Sequence, residues 1–242
     1  MTTLLLIHAF PVDAAMWEPQ VLSLRRELTV MAPSLPGFGG TPPTGDVLGM
    51  DVAAEFLVGE LDRAGVDRAV VCGLSMGGYI AFSLWHRHRD RIAGLALADT
   101  RAEPDDEAGK ERRRGVAEKA RSGGSEAIAG DPPPLLSEGA EPALWDRVKD
   151  MIRRQPGESI AAASLGMAER SDARPLLGEI DVPTAVIAGG ADSLTPPAMS
   201  ESMASAIPGA ELLVLDGAGH LSNLEAPDAF TAALRSLLER AG

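Results

Sequence analysis

The chain has 242 residues, of which 45% are hydrophobic and 24% charged, so it has enough apolar material for a full core and is neither disordered nor collagen-like. Its 22 Lys and Arg against 35 Asp and Glu leave a formal charge of −13, which disfavours nucleic acid and anionic lipid as partners. The single cysteine, Cys72, excludes an internal disulfide framework.

Taken in chain order, six short apolar runs occupy residues 3–9, 28–32, 69–72, 92–98, 184–188 and 210–215. They suit strands buried on both faces. Helical patterns fill several gaps between them. Residues 51–64 place Val52, Phe56, Leu57 and Leu61 on one stripe and end at Gly65. Residues 76–89 begin apolar and turn basic, and residues 227–240 carry Phe230, Ala233, Leu234, Leu237 and Leu238 on one face. The alternation predicts an α/β fold built on a mostly parallel six-stranded sheet flanked by helices.

The alternation stops after Thr100. Residues 108–122, 143–155 and 159–170 are helix-compatible, and Pro132, Pro133 and Pro134 form a stiff connector. This predicts a helical cap, or lid, over 101–178, inserted into a core made of 1–100 and 179–242. No apolar run approaches the roughly 18 residues of a membrane span, and the N-terminus lacks a basic segment before its short apolar run. The expectation is a cytoplasmic protein with no membrane association. The oligomeric state stays open.

Gly73-Leu74-Ser75-Met76-Gly77 lies between the run at 69–72 and the helix from Met76. A G-x-S-x-G on a strand-to-helix turn presents a serine hydroxyl on a strained bend above free helix N–H groups. A serine needs a base. The chain has four histidines. His86 and His88 sit at the far end of the helix after Ser75, and His8 leads into a turn that it braces. His220, in Gly217-Ala218-Gly219-His220, follows the run at 210–215 and thus emerges at the sheet end that carries Ser75. The base needs a carboxylate. Asp192 follows the run at 184–188, next to the strand before His220, and Asp99 is the alternative. The backbone N–H groups of Phe10 and Met76 are the expected oxyanion donors.

These residues resemble the α/β-hydrolase superfamily: the turn at 8–11, the Leu35-Pro36-Gly37-Phe38-Gly39 loop, the serine turn, Asp192 and His220. Within it, the chain is similar to small carboxylesterases and 3-oxoadipate enol-lactonases, through Pro11-Val12-Asp13, Met16-Trp17 and the segment from Gly219 to Pro227. Relatives often have Gly where Ala9 stands. The first strand matches the one the family numbers third, so the resemblance implies a sheet without the usual N-terminal hairpin.

The implied activity is hydrolysis of a small ester or lactone through an acyl-enzyme. Acyl transfer, C–C bond hydrolysis, peracid formation and a slow-turnover ligand receptor are the alternatives on the same residues. No metal or cofactor is expected, since no H-x-x-x-H or cysteine cluster occurs. Phe10, Met76, Trp145, Met151 and Met167 are candidates to line the substrate pocket. Arg112, Arg113 and Arg114, beside Glu111 and the acids at 105–107, read as a solvated mixed-charge helix.

Overall fold

The computed structural model describes residues 2–242. Its six strands are β1 (Thr3–Ile7), β2 (Thr29–Met31), β3 (Ala69–Leu74), β4 (Ile92–Ala98), β5 (Thr184–Gly189) and β6 (Glu211–Leu215), in the order β2-β1-β3-β4-β5-β6. All five pairings are parallel. The inner strands are almost wholly apolar because helices cover both faces: every residue of β1, β3 and β5 is buried. The edges differ from the sequence expectation. β2 and most of β6 are partly or fully exposed, since an edge strand has only one neighbour to shield it.

The helices of the sheet layer are α1 (Glu18–Leu24), α2 (Met50–Arg63) and α3 (Met76–His88), with α8 (Pro197–Ala206), the single turn α9 (Ser222–Glu225) and α10 (Pro227–Ala241) after β5. Between β4 and β5 lie α4 (Glu107–Gly130), α5 (Pro142–Arg153), α6 (Gly157–Ala168) and the short α7 (Arg174–Leu177), with no strand. α4 extends past the 108–122 seen in the pattern and breaks at Gly124, whose φ of 67° only glycine adopts freely. No described helix is long and apolar enough to cross a membrane.

The segment 101–178 is fixed to the sheet layer by buried and part-buried polar ties. The amide of Gln155 accepts from Gly39 N–H at 2.9 Å and donates to Asp13 at 2.8 Å. Glu225 accepts from Gly219 N–H at 2.7 Å and from the Ser137 hydroxyl, and Leu221 N–H donates to Leu135 O at 2.8 Å. Parallel strands deliver their following loops to one end of the sheet. The loops bearing Ser75, Asp192 and His220 therefore converge beside these ties.

Candidate active site

Ser75 takes φ 56° and ψ −114° between β3 and α3. Such a backbone costs a non-glycine residue about 1–3 kcal/mol and persists only where surroundings fix it. Here Ser75 N–H donates to Ala98 O at 2.9 Å, and the Thr100 hydroxyl donates to Ser75 O at 2.8 Å. The turn is also packed closely. A Cβ on Gly73 would lie 2.2 Å from the Gly77 oxygen, and one on Gly77 would lie 2.2 Å from the Ile7 oxygen. Both glycines of the motif are thus sterically required.

The Ser75 hydroxyl lies 2.7 Å from His220 Nε2, and His220 Nδ1 lies 2.8 Å from Asp192 Oδ2. With Nδ1 protonated, the ring donates to Asp192 and its Nε2 accepts the Ser75 hydroxyl hydrogen. All three residues are buried. Burial alone would raise the Asp192 pKa, but its bond and charge contact with His220 and the donors of Thr195 outweigh it, so the carboxyl lies below its usual range. Asp99, the other candidate acid, bonds elsewhere: it accepts from Gly189 N–H at 2.7 Å and from the Ser222 hydroxyl.

Neither Phe10 N–H nor Met76 N–H has a protein acceptor among the described residues. Phe10 sits on a turn that His8 holds from inside: its Nδ1–H donates to Ala9 O at 2.9 Å and its Nε2 accepts Leu35 N–H at 3.0 Å. Burial lowers the His8 pKa to about 4, against the opposing pull of the Ala9 carbonyl, so this ring stays neutral. Ala9 N–H points to the Met16 sulfur at 3.1 Å.

A cavity of about 490 Å³ opens onto Ser75 and His220. Phe10, Leu194 and Thr195 line it from the sheet loops, and Val116, Ile128 and Met167 line it from segment 101–178. A strained serine and a histidine that orders it at one cavity, with a buried carboxylate behind the ring, are components of acyl transfer, and Phe10 on the cavity wall and Met76 next to Ser75 in sequence bring N–H groups without acceptors.

Residues 2–227 match the family model described as the alpha/beta hydrolase fold. The chain belongs to the α/β-hydrolase fold family.

The hydrolase is similar to an esterase from Thermogutta terrifontis, solved with malate bound: 40% identity, 100% of this chain and 90% of that one covered, TM-score 0.96. It is similar to the enol-lactonase from Burkholderia xenovorans, with 31% identity, 98% and 91% coverage and a TM-score of 0.89. A pimeloyl-[acyl-carrier protein] methyl ester esterase from Aromatoleum aromaticum is 30% identical over 240 residues, 93% of each chain.

Of the pocket candidates, Phe10 and Met167 line the cavity of this hydrolase and Met76, Trp145 and Met151 do not. Met76 is wholly buried at the start of α3. Met151 and Val148 turn the apolar stripe of α5 inward, where α5 packs on α4 and on the turn Ala14–Trp17. Trp145 is a half-buried neighbour of that core. His86 is exposed, and His88 pairs with Glu55 at 3.0 Å, far from the site.

Three features of the site escaped sequence reasoning. Thr195 donates its hydroxyl to Asp192 Oδ2 at 2.6 Å, while Leu194 and Thr195 N–H groups donate to Oδ1 at 2.8 and 3.0 Å. The D-x-x-T spacing after a strand is the local signal for such an aspartate-capped turn. Asp99 bridges two active-site loops without touching the histidine ring. Lastly, the arginine run is not uniformly placed: exposed Arg112 and half-buried Arg113 line the cavity, whereas Arg114, also exposed, pairs with Glu111.

Proposed function

We propose that this hydrolase cleaves a small-molecule ester or lactone by way of an acyl-enzyme on Ser75. The relatives named as esterases and an enol-lactonase support ester or lactone chemistry. The single observation that carries the serine mechanism is the chain of contacts Ser75 Oγ to His220 Nε2 at 2.7 Å and His220 Nδ1 to Asp192 at 2.8 Å.

The steps follow from these positions. Ser75 Oγ attacks the carbonyl carbon as His220 Nε2 takes its proton, and the carbonyl oxygen becomes an oxyanion held by the N–H groups of Phe10 and Met76. The carbonyl re-forms as the bond to the leaving oxygen breaks, and that oxygen takes the proton from His220. A water molecule then loses a proton to His220 and attacks the acyl carbon. Ser75 leaves and regains its proton, and the acid is released. Asp192 keeps the imidazole in the required tautomer and stabilises the imidazolium. Removing one oxyanion donor in such sites costs about 10²–10³ in rate.

In this reading 101–178 is the lid. Its residues Val116, Ile128 and Met167 close the cavity from above and exclude water from the reacting carbonyl. The test is labelling with a fluorophosphonate together with turnover of p-nitrophenyl acetate. Ser75 is the expected modified residue, and Ser75→Ala is expected to lose both labelling and turnover while keeping its circular dichroism spectrum. Labelling at another residue, or retained turnover in that variant, overturns the reading.

A further inference from the structure

The cavity at Ser75 is cationic in a protein whose formal charge is −13. Arg101, Arg112, Arg113 and Lys119 line it, against only two carboxylates, Asp105 and Asp131. The ion pairs account for these charges unequally. Buried Asp105 is shared by Arg101, by Arg113 at 3.2 Å and by Arg170 at 2.8 Å, so three guanidinium groups surround one carboxylate. Burial works against its ionisation, but Arg170 and Arg113 hold its pKa down to about 2, so the carboxylate is always charged and already committed. Lys119 pairs with Asp131 at 2.8 Å. Arg112 has no carboxylate within 4 Å among the described residues, and the buried Arg101 Nε has no acceptor.

The placement along α4 is regular. Gly109, Arg112, Val116 and Lys119 share one face, three and four residues apart, and all four line the cavity. Gly109 offers no side chain, and Val116 offers an apolar wall. Arg112, which has no carboxylate partner, therefore lies between Gly109 and Val116 on the α4 face of the cavity that also reaches Ser75.

We propose that the preferred substrate carries a carboxylate remote from the bond that is cleaved, and that Arg112 binds this carboxylate while Arg101 and Arg113 supply background positive potential. The inference deepens the esterase or lactonase reading and rests on it. One unpaired guanidinium suits a monoanion, to which it donates two parallel hydrogen bonds. The apolar walls at Val116, Ile128 and Met167 suit a short methylene chain between carboxylate and ester. A neutral chain of the same length would leave Arg112 unpaired.

The experiment compares monomethyl adipate with dimethyl adipate, which differ only in the remote carboxylate. In the wild type the monoacid is expected to have the higher kcat/KM. In Arg112→Gln the ratio of kcat/KM, monoacid over diester, is expected to fall about tenfold, as for loss of one charged hydrogen-bonded contact. Arg112→Lys is expected to keep part of the ratio, and added salt to lower it in the wild type. Arg112 is exposed on α4, so the variants are expected to fold. An unchanged ratio in Arg112→Gln, or a wild-type preference for the diester, overturns the inference. So does turnover of p-nitrophenyl acetate with neither adipate ester cleaved, and that outcome leaves the hydrolase reading standing. If no ester is turned over and Ser75 is not labelled, the hydrolase reading fails. Calorimetric titration with adipate then decides: binding weakened in Arg112→Gln sustains the carboxylate site, and no binding, or equal binding, overturns it.

Discussion

Ser222, two residues past His220 in sequence, donates its hydroxyl hydrogen to the carboxyl of Asp99. The other oxygen of Asp99 holds Gly189 N–H, three residues before Asp192. One buried carboxyl therefore fixes the loops that deliver both the imidazole and its acid partner. Asp99 itself takes a left-handed φ of 44°, which the loop following β4 imposes.

Burial pushes the Asp99 pKa up from 3.8 to about 7, against the pull of His220 and its own donors, and the Asp192 charge adds to the rise. Between these two values the folded chain holds a proton that the unfolded chain releases. Stability is therefore expected to fall as pH rises through that window, by roughly 4 kcal/mol in full from this group. Asp99→Asn cannot ionise and removes the slope. Melting temperatures from pH 4 to pH 8 should show the variant gaining on the wild type as pH rises. Parallel curves would mean that Asp99 does not titrate there.

Thr195 is expected to set the orientation and basicity of Asp192. Thr195→Val keeps the shape and removes the hydroxyl donor. A carboxylate with one donor fewer holds the imidazolium more strongly, so the acid limb of the kcat/KM profile should move to higher pH. The rate at the optimum should fall about tenfold, the worth of one charged hydrogen bond. Thr195→Ser, which restores the donor, should reverse both effects. A drop in stability with an unmoved pH profile would assign Thr195 to packing alone.

What could be read ahead of the structure was what the chain states locally. β1, β3, β4 and β5 are visible because central parallel strands are apolar at nearly every position, and the turn at Ser75 because its glycines and serine lie within five residues. His220 was reachable by elimination among four histidines, and Asp192 by sheet adjacency. α8 was missed because Ala, Ser and Met over residues 197–206 bury only Ser200 and Met203 and so make no stripe. α1 was missed because seven residues with a proline near the start give too few periods. The Asp99 tie to Ser222 spans 123 residues, and Arg112 differs from Arg114 only in which way α4 rolls against α6. Neither is a property of a sequence window. The same holds for Trp145 and Met151, whose stripe is real but faces α4 and the 14–17 turn.

Backbone strain at Ser75 should be measurable by itself. Ser75→Ala and Ser75→Gly both lose the hydroxyl and its contact with His220, and both should be inactive. Only glycine adopts φ 56° with ψ −114° at little cost. Urea unfolding is expected to find the glycine variant more stable than the alanine variant by roughly 1–2 kcal/mol, less the entropy glycine gains when unfolded. An alanine variant at least as stable as the glycine one would show that the turn stores no strain.

The proposal that segment 101–178 shapes specificity is open to a paired test, because two methionines of that segment are equally buried but differently placed. Met167 is 1% exposed and lines the cavity that reaches Ser75, whereas Met151 is 2% exposed and lies in the contact of α5 with α4. Truncation to alanine removes comparable apolar volume at either position and should cost about 2–5 kcal/mol in both. Its effect on catalysis should differ. Met167→Ala enlarges the space beside the acyl chain, so the optimum in a series of p-nitrophenyl esters should move to longer chains, with kcat/KM for the acetate falling as the short chain loses its wall. Met151→Ala should lower the melting temperature as much and leave the optimum chain length where it is. Equal shifts in both variants would mean that segment 101–178 acts on specificity through its stability. No shift in Met167→Ala would move the control of chain length to the sheet-side wall, at Phe10 and Leu194.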